Sequence, residues 1–83
     1  MHLIELSQLK PGETALISGL VAEAGLEQRL LALGFRPGRQ VRMIRKAWFS
    51  GPLHVRIGTT EVMVRRRDAQ AIKVEYMTTE AGA

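Results

Sequence analysis

Turn-forming residues cut this chain into pieces too short for anything but brief strands and single helices. Pro11-Gly12, Gly34, Pro37-Gly38, Gly51-Pro52 and Gly58 all stand where the hydrophobic pattern breaks. Such residues punctuate a chain because they take up turn conformations that others resist. Between them no apolar run exceeds the four residues Leu30 to Leu33, far from the roughly 20 needed to span a bilayer. The 83 residues allow one core. With no cysteine present, disulfides, thiolate metal sites and cysteine nucleophiles are all excluded. A chain of this length buries only about 60–65% of its extended surface, so nearly every large apolar residue is needed inside. Any one left over is a clue to function.

Two periods alternate along the pieces. Leu6 to Leu9 reads as one helical turn before Pro11-Gly12, and Thr14 to Leu20 as a first strand interrupted by Gly19. From Glu23 to Leu33 the period is helical, with Leu26, Leu30 and Leu33 on one stripe and Gly34 closing the last turn. Counting 100° per residue, Leu31 lies near 140° from that stripe and has no obvious home in the core. After Pro37-Gly38 the period becomes two. Val41 and Met43 share a face of Gln40–Lys46 until Ile44 breaks phase, which predicts a bulge or bend there. Leu53, Val55 and Ile57 face in, then Val62 and Val64, with Gly58-Thr59-Thr60 as the hairpin between them. Arg66 to Ala71 reads as a turn and Ile72–Tyr76 as a last strand. Residues 1–77 are expected to form the domain and residues 78–83 a disordered tail.

About five short strands and one helix so closely spaced must curl onto one another to leave no open edge. The expected fold is mainly β: a small SH3-like barrel with one short helix inserted after the first strand. The N-terminus carries no basic stretch followed by a long apolar one, so a cytoplasmic protein is expected.

Charge is distributed unevenly. Residues 36–67 carry nine basic side chains against Glu61, a net of +8, whereas residues 1–35 and 68–83 each sum to −2. Such a middle suits nucleic acid, an acidic protein surface, the anionic inner face of a membrane, or solvent alone. Nucleic acid fits least well, because no aromatic side chains are interleaved with Arg42, Arg56 and Arg65 to stack on bases.

The phrase Arg29-Leu-Leu-Ala-Leu-Gly-Phe-Arg-Pro-Gly38 resembles the helix and turn of the FeoA family, small accessory proteins of bacterial ferrous iron uptake. Leu6-x-x-Leu-x-x-Gly12, Gly51-Pro52-Leu53 and Val62-x-Val-Arg65-x-x-x-Ala69-x-x-Ile72-x-Val74 are similar to the family's other blocks. Together they cover about residues 3–76. The resemblance implies an SH3-like barrel without catalytic activity. It also implies binding to the ferrous iron permease FeoB, which carries a cytosolic GTPase domain, and hence a place peripheral to the inner membrane. The same barrel resembles a domain of metal-dependent repressors, so a small basic nucleic-acid-binding or transcription accessory protein is the alternative.

The residues agree with a binding module. Only His2 and His54 are present, with no nucleophile at a recognisable spacing from a base and an orienting acid. No enzyme, cofactor or small-molecule substrate is expected. Two histidines 52 positions apart with scattered glutamates show no ligand spacing for iron, and no phosphate-cradling glycine loop with its lysine occurs. The sharpest local signal is Ala47-Trp-Phe-Ser-Gly-Pro52, which holds two of the four aromatic residues where loops are normally polar. One of Trp48 and Phe49 is expected to cap the barrel mouth. The other, with Leu31 and Phe35, would form an exposed apolar anchor. Arg36, Arg42, Arg45 and Arg65 would steer the partner electrostatically. Self-association through strand edges or the Trp48-Phe49 loop is a further expectation.

Overall fold

A computed structural model describes residues 3–49 and 51–77 of the chain. Among them run β1 (Leu3–Glu5), a 3₁₀ turn (Leu6–Gln8), β2 (Thr14–Leu20), α1 (Ala24–Leu33), β3 (Gln40–Lys46), β4 (Leu53–Ile57), β5 (Thr60–Val64), α2 (Arg66–Ala69) and β6 (Ile72–Tyr76). The strands form one antiparallel sheet in the order β1-β6-β2-β3-β4-β5. The expected mainly-β architecture is present, with one strand more than the period-two pattern predicts. The additional strand, β1, is three residues long and pairs Leu3 to Glu75 through Glu5 to Lys73. Three residues carry no readable alternation, so only the pairing partner defines it. The helix consequently follows the second strand, not the first.

Alternating residues of β4 (Leu53, Val55, Ile57) and β6 (Ile72, Val74) are buried, together with Ala15, Ile17, Val41, Met43 and Val64. These side chains project to one face of the sheet because successive strand residues point to opposite sides. The 3₁₀ turn adds Leu6 and Leu9, and α2 adds Ala69. The register slips between Met43 and Arg45 opposite His54, where the phase breaks at Ile44, and again between Ile17 and Gly19 opposite β6. Each slip bends its strand and raises the local twist, which lets so small a sheet curl around its core.

The C-terminal end of α1 decides the fate of the residues after it. Gly34 takes φ 109°, a left-handed conformation that costs glycine little. The Gly34 N–H donates to Leu31 O and the Phe35 N–H to Leu30 O, each at 3.0 Å. This is the Schellman arrangement, which folds the residue after the glycine back against the one five positions earlier. Phe35 is therefore packed beside Leu30 and is the bulkiest fully buried side chain among the described residues. The expectation that Phe35 forms part of an exposed anchor is overturned by this cap. Leu33, expected on the core stripe, is 43% exposed. Leu31 is half-buried.

Candidate functional site

Three surface features stand out. The first is the connection between β3 and β4. The Ala47 N–H donates to Pro52 O at 3.2 Å, and the Gly51 N–H donates to Trp48 O at 3.3 Å. The second bond closes a tight turn with Phe49 as its first central residue. Phe49 has φ 62°, the one positive φ outside glycine among the described residues. For an L-residue that conformation costs roughly 1–2 kcal/mol, and such a turn position ordinarily takes Gly, Asn or Asp. A Cβ on Gly51 would lie 2.5 Å from Ala47 Cβ, so only glycine lets the two ends of the connection cross this closely.

Neither aromatic ring returns to the core. Trp48 is 87% exposed and Phe49 94%, so neither caps the sheet as one was expected to do. The loop is braced from below. The Arg66 guanidinium donates through Nη2 to Ala47 O at 3.1 Å, and Lys46 Nζ donates to Ser7 O at 2.7 Å. Burial, reinforced by nearby Arg66 and opposed by Glu13, pulls the Lys46 ammonium below its ordinary pKa. Arg66 Nε is buried and makes no hydrogen bond to the protein.

The second feature is the outer face of β2 to β5. Thr14 lies opposite Arg42, Arg42 opposite Arg56, and Arg56 opposite Glu61, one row across four strands. The neighbouring row is Arg45, His54 and Met63. Glu61 pairs with Arg56, and His54 Nε2 lies 2.8 Å from Glu61 Oε1. Hydrogen bonds from Arg56 and then His54 hold the Glu61 carboxyl below the usual carboxylate range. Among the described residues, Arg42 and Arg45 have no carboxylate within ion-pairing distance. Thr14, Arg39, Gln40, Arg42, Arg56 and Gly58 line an open cleft of about 370 Å³.

The third feature lies between α1 and β5. Leu26, Leu30, Leu33, Met63 and Val64 form the apolar lining of a shallow cleft of about 430 Å³, with Arg29, Arg65 and Asp68 at its rim. Met63 is 63% exposed. Strand β5 is an edge of the sheet.

These positions redistribute the expected site. Trp48, Phe49 and Arg45 belong to the tip and the adjoining end of β3, and Arg42 to the outer sheet face. Arg65 belongs to the helix-side cleft, while Leu31 is half-buried on α1. Arg36 sits in the turn before β3, at the far end of that strand from Trp48. At about 3.3 Å per residue the seven residues of β3 separate the two by about 20 Å, so Arg36 does not rim the aromatic pair. Sequence reasoning missed Leu33, which passes as a member of the helix core stripe, Met63, which passes as an ordinary outward strand residue, and the bracing role of Arg66, indistinguishable within Arg65-Arg66-Arg67. Among the described residues no group of three or more His, Asp or Glu side chains is placed to share a metal ion. No helix among them is long and apolar enough to cross a membrane.

Comparison with known proteins adds a lineage to this geometry. The FeoA domain family matches residues 4–76. A fusion of Fe(2+) transport protein A with the Fe(2+) transporter FeoB, from Porphyromonas gingivalis, is 31% identical over 78 residues; the match covers 94% of this chain but 9% of the fusion protein. The solution structure of iron(II) transport protein A from Clostridium thermocellum is 32% identical, with a TM-score of 0.85 over 89% of this chain and 46% of that one. Zinc-bound FeoA of Stenotrophomonas maltophilia, an SH3-domain protein, is 30% identical, with a TM-score of 0.77 over 87% of this chain and 89% of that one. The fold is SH3-like.

Proposed function

This chain belongs to the FeoA family, and from that premise we propose that it is a non-catalytic accessory protein of ferrous iron uptake. It acts by docking on the ferrous iron permease FeoB at the cytosolic face of the membrane. The observation that carries this reading is the P. gingivalis relative, in which a segment similar to this chain is joined to FeoB in one polypeptide. Joining two modules converts their encounter into an intramolecular one at up to millimolar effective concentration. Such a joint is useful when the modules touch.

The cleft between α1 and β5 is the docking surface the geometry supports best. Its apolar lining includes Leu33 and Met63, both accessible, and Arg29 and Arg65 border it with charge. An apolar centre inside a charged rim is the usual composition of a protein-binding hot spot. Arg42 and Arg45, without acidic partners among the described residues, add a positive field that steers an acidic surface toward the protein.

Titration of the purified chain against the cytosolic domain of the permease, with and without guanine nucleotide, tests the proposal. Saturable binding is expected, and Met63→Glu should weaken it by about thirtyfold, the loss of one hot-spot contact of about 2 kcal/mol. Absence of binding in every nucleotide state would refute it.

A further inference from the structure

The aromatic tip remains outside the docking cleft, and its construction points to a different partner. Trp48 and Phe49 are adjacent in the connection between β3 and β4, and both are almost fully in water. Phe49 is held in a left-handed conformation that a bulky residue normally avoids. Strain of this kind persists only where the surroundings enforce it, and it concentrates at binding sites. Here the Gly51–Trp48 turn bond, the Ala47–Pro52 bond and the Arg66 brace together enforce it.

We propose that this tip is a membrane-surface anchor, with Trp48 and Phe49 entering the interfacial layer of an anionic lipid bilayer and Arg45 and Arg67 meeting the headgroups. Lipid is favoured over a protein pocket on three grounds. No residue of the tip lines either of the clefts described above. A protein pocket complementary to two adjacent rings on so tight a turn would have to match both directions, whereas a bilayer receives both without matching shape. Tryptophan favours the headgroup level, where its apolar body and its N–H edge are both satisfied, and phenylalanine adds apolar surface that enters the acyl boundary.

The two segments that meet at the base of the tip carry charge of one sign. From Arg45 to Phe49 and from Arg65 to Arg67 every ionisable residue is basic. The bond from Arg66 to Ala47 O brings α2 to the base of the hairpin. Arg65 and Arg67, on either side of Arg66, are exposed, as is Arg45. Lys46 and Arg66 are occupied as braces, which leaves Arg45 and Arg67 free for phosphate and carboxylate headgroups. Basic residues beside an inserted apolar group supply the second signal that stable attachment to a membrane surface requires.

Trp48 is the single tryptophan of the chain, so its fluorescence reports the tip alone. The experiment mixes the purified protein with protein-free phosphatidylcholine vesicles, with and without phosphatidylserine. Its readouts are Trp48 emission, quenching by acyl-brominated lipid, and co-sedimentation. The expected result is a blue shift, quenching and sedimentation with phosphatidylserine present, each suppressed by high salt. Trp48→Ser with Phe49→Ser should reduce sedimentation about tenfold or more, and Arg45→Gln with Arg67→Gln should remove the dependence on phosphatidylserine. All four side chains are exposed, and a circular dichroism spectrum matching the parent verifies the fold of each variant. Emission indifferent to vesicles of either composition would overturn the proposal. So would a blue shift seen only on adding the permease's cytosolic domain, which would make the tip a protein contact. Because no permease is present in the vesicle arm, failure here leaves the docking cleft standing, and failure of docking leaves the anchor standing.

Discussion

Replacing Phe49 with glycine is expected to make the protein more stable, although it deletes one of the two aromatic side chains of the tip. Phe49 is 94% exposed, so its removal forfeits almost no buried apolar area. Its φ of 62° costs an L-residue roughly 1–2 kcal/mol, a cost that glycine does not bear at that angle. Against this stands the greater freedom glycine gives the unfolded chain, worth roughly 0.5–1 kcal/mol. The difference is a net gain of about 0.5–1 kcal/mol. For a domain of this size each kcal/mol moves Tm by about 4–8 °C, so a rise of about 2–8 °C is expected in a thermal melt followed by circular dichroism. Trp48→Gly is the control, because the backbone at Trp48 has no positive φ and glycine there relieves nothing. A Tm for Phe49→Gly at or below the parent, or equal shifts for both variants, would show that the backbone at Phe49 stores no strain. The same variant should lose vesicle binding, which places stability and function in opposition at one residue.

Gly51→Ala should destabilise the protein by about 1–3 kcal/mol, the usual cost of overpacking, since the new Cβ would meet Ala47 Cβ at 2.5 Å; urea denaturation measures it. Phe35→Ala should cost about 3–5 kcal/mol, because the ring is fully buried against the core, and a loss of under about 1 kcal/mol would contradict its place there. Glu61 is held below its ordinary value of 4.5 by Arg56 and His54. Its contribution to stability is therefore present above that value and is lost as pH falls through the depressed folded one. Glu61→Gln should flatten the acid limb of a Tm-against-pH profile, and an unchanged limb would show that the ion pairs contribute nothing.

Much of this fold was legible because its strands obey period two. Leu53–Ile57 and Ile72–Tyr76 begin and end where the alternation does. The phase break at Ile44 corresponds to a register slip opposite His54. What escaped notice depends on pairing or on caps. β1 exists because β6 offers it an edge, and nothing in Leu3-Ile4-Glu5 marks it beforehand. Phe35 looked surplus because it follows a helix-ending glycine, yet glycine followed by a large apolar residue, with Leu30 five positions earlier, is the signature that buries it. The candidate site was less legible still. Composition marked Trp48 and Phe49 as unusual, and both are exposed. The α1–β5 cleft needs the position of the helix against an edge strand, which no periodicity of Leu33 or Met63 encodes. Likewise Arg42 faces Arg56 only because the register beyond the slip places them in one row.

A binding titration against the permease in lipid nanodiscs decides whether this chain is a surface that docks on the ferrous iron permease. Discs of phosphatidylcholine and phosphatidylserine are compared with and without the permease, using the parent chain and Met63→Glu. Saturable binding tighter to permease-containing discs than to empty ones, reduced by Met63→Glu to the level of empty discs, is the predicted result. Equal binding to both kinds of disc, or a Met63→Glu chain that binds the permease as well as the parent, would contradict it.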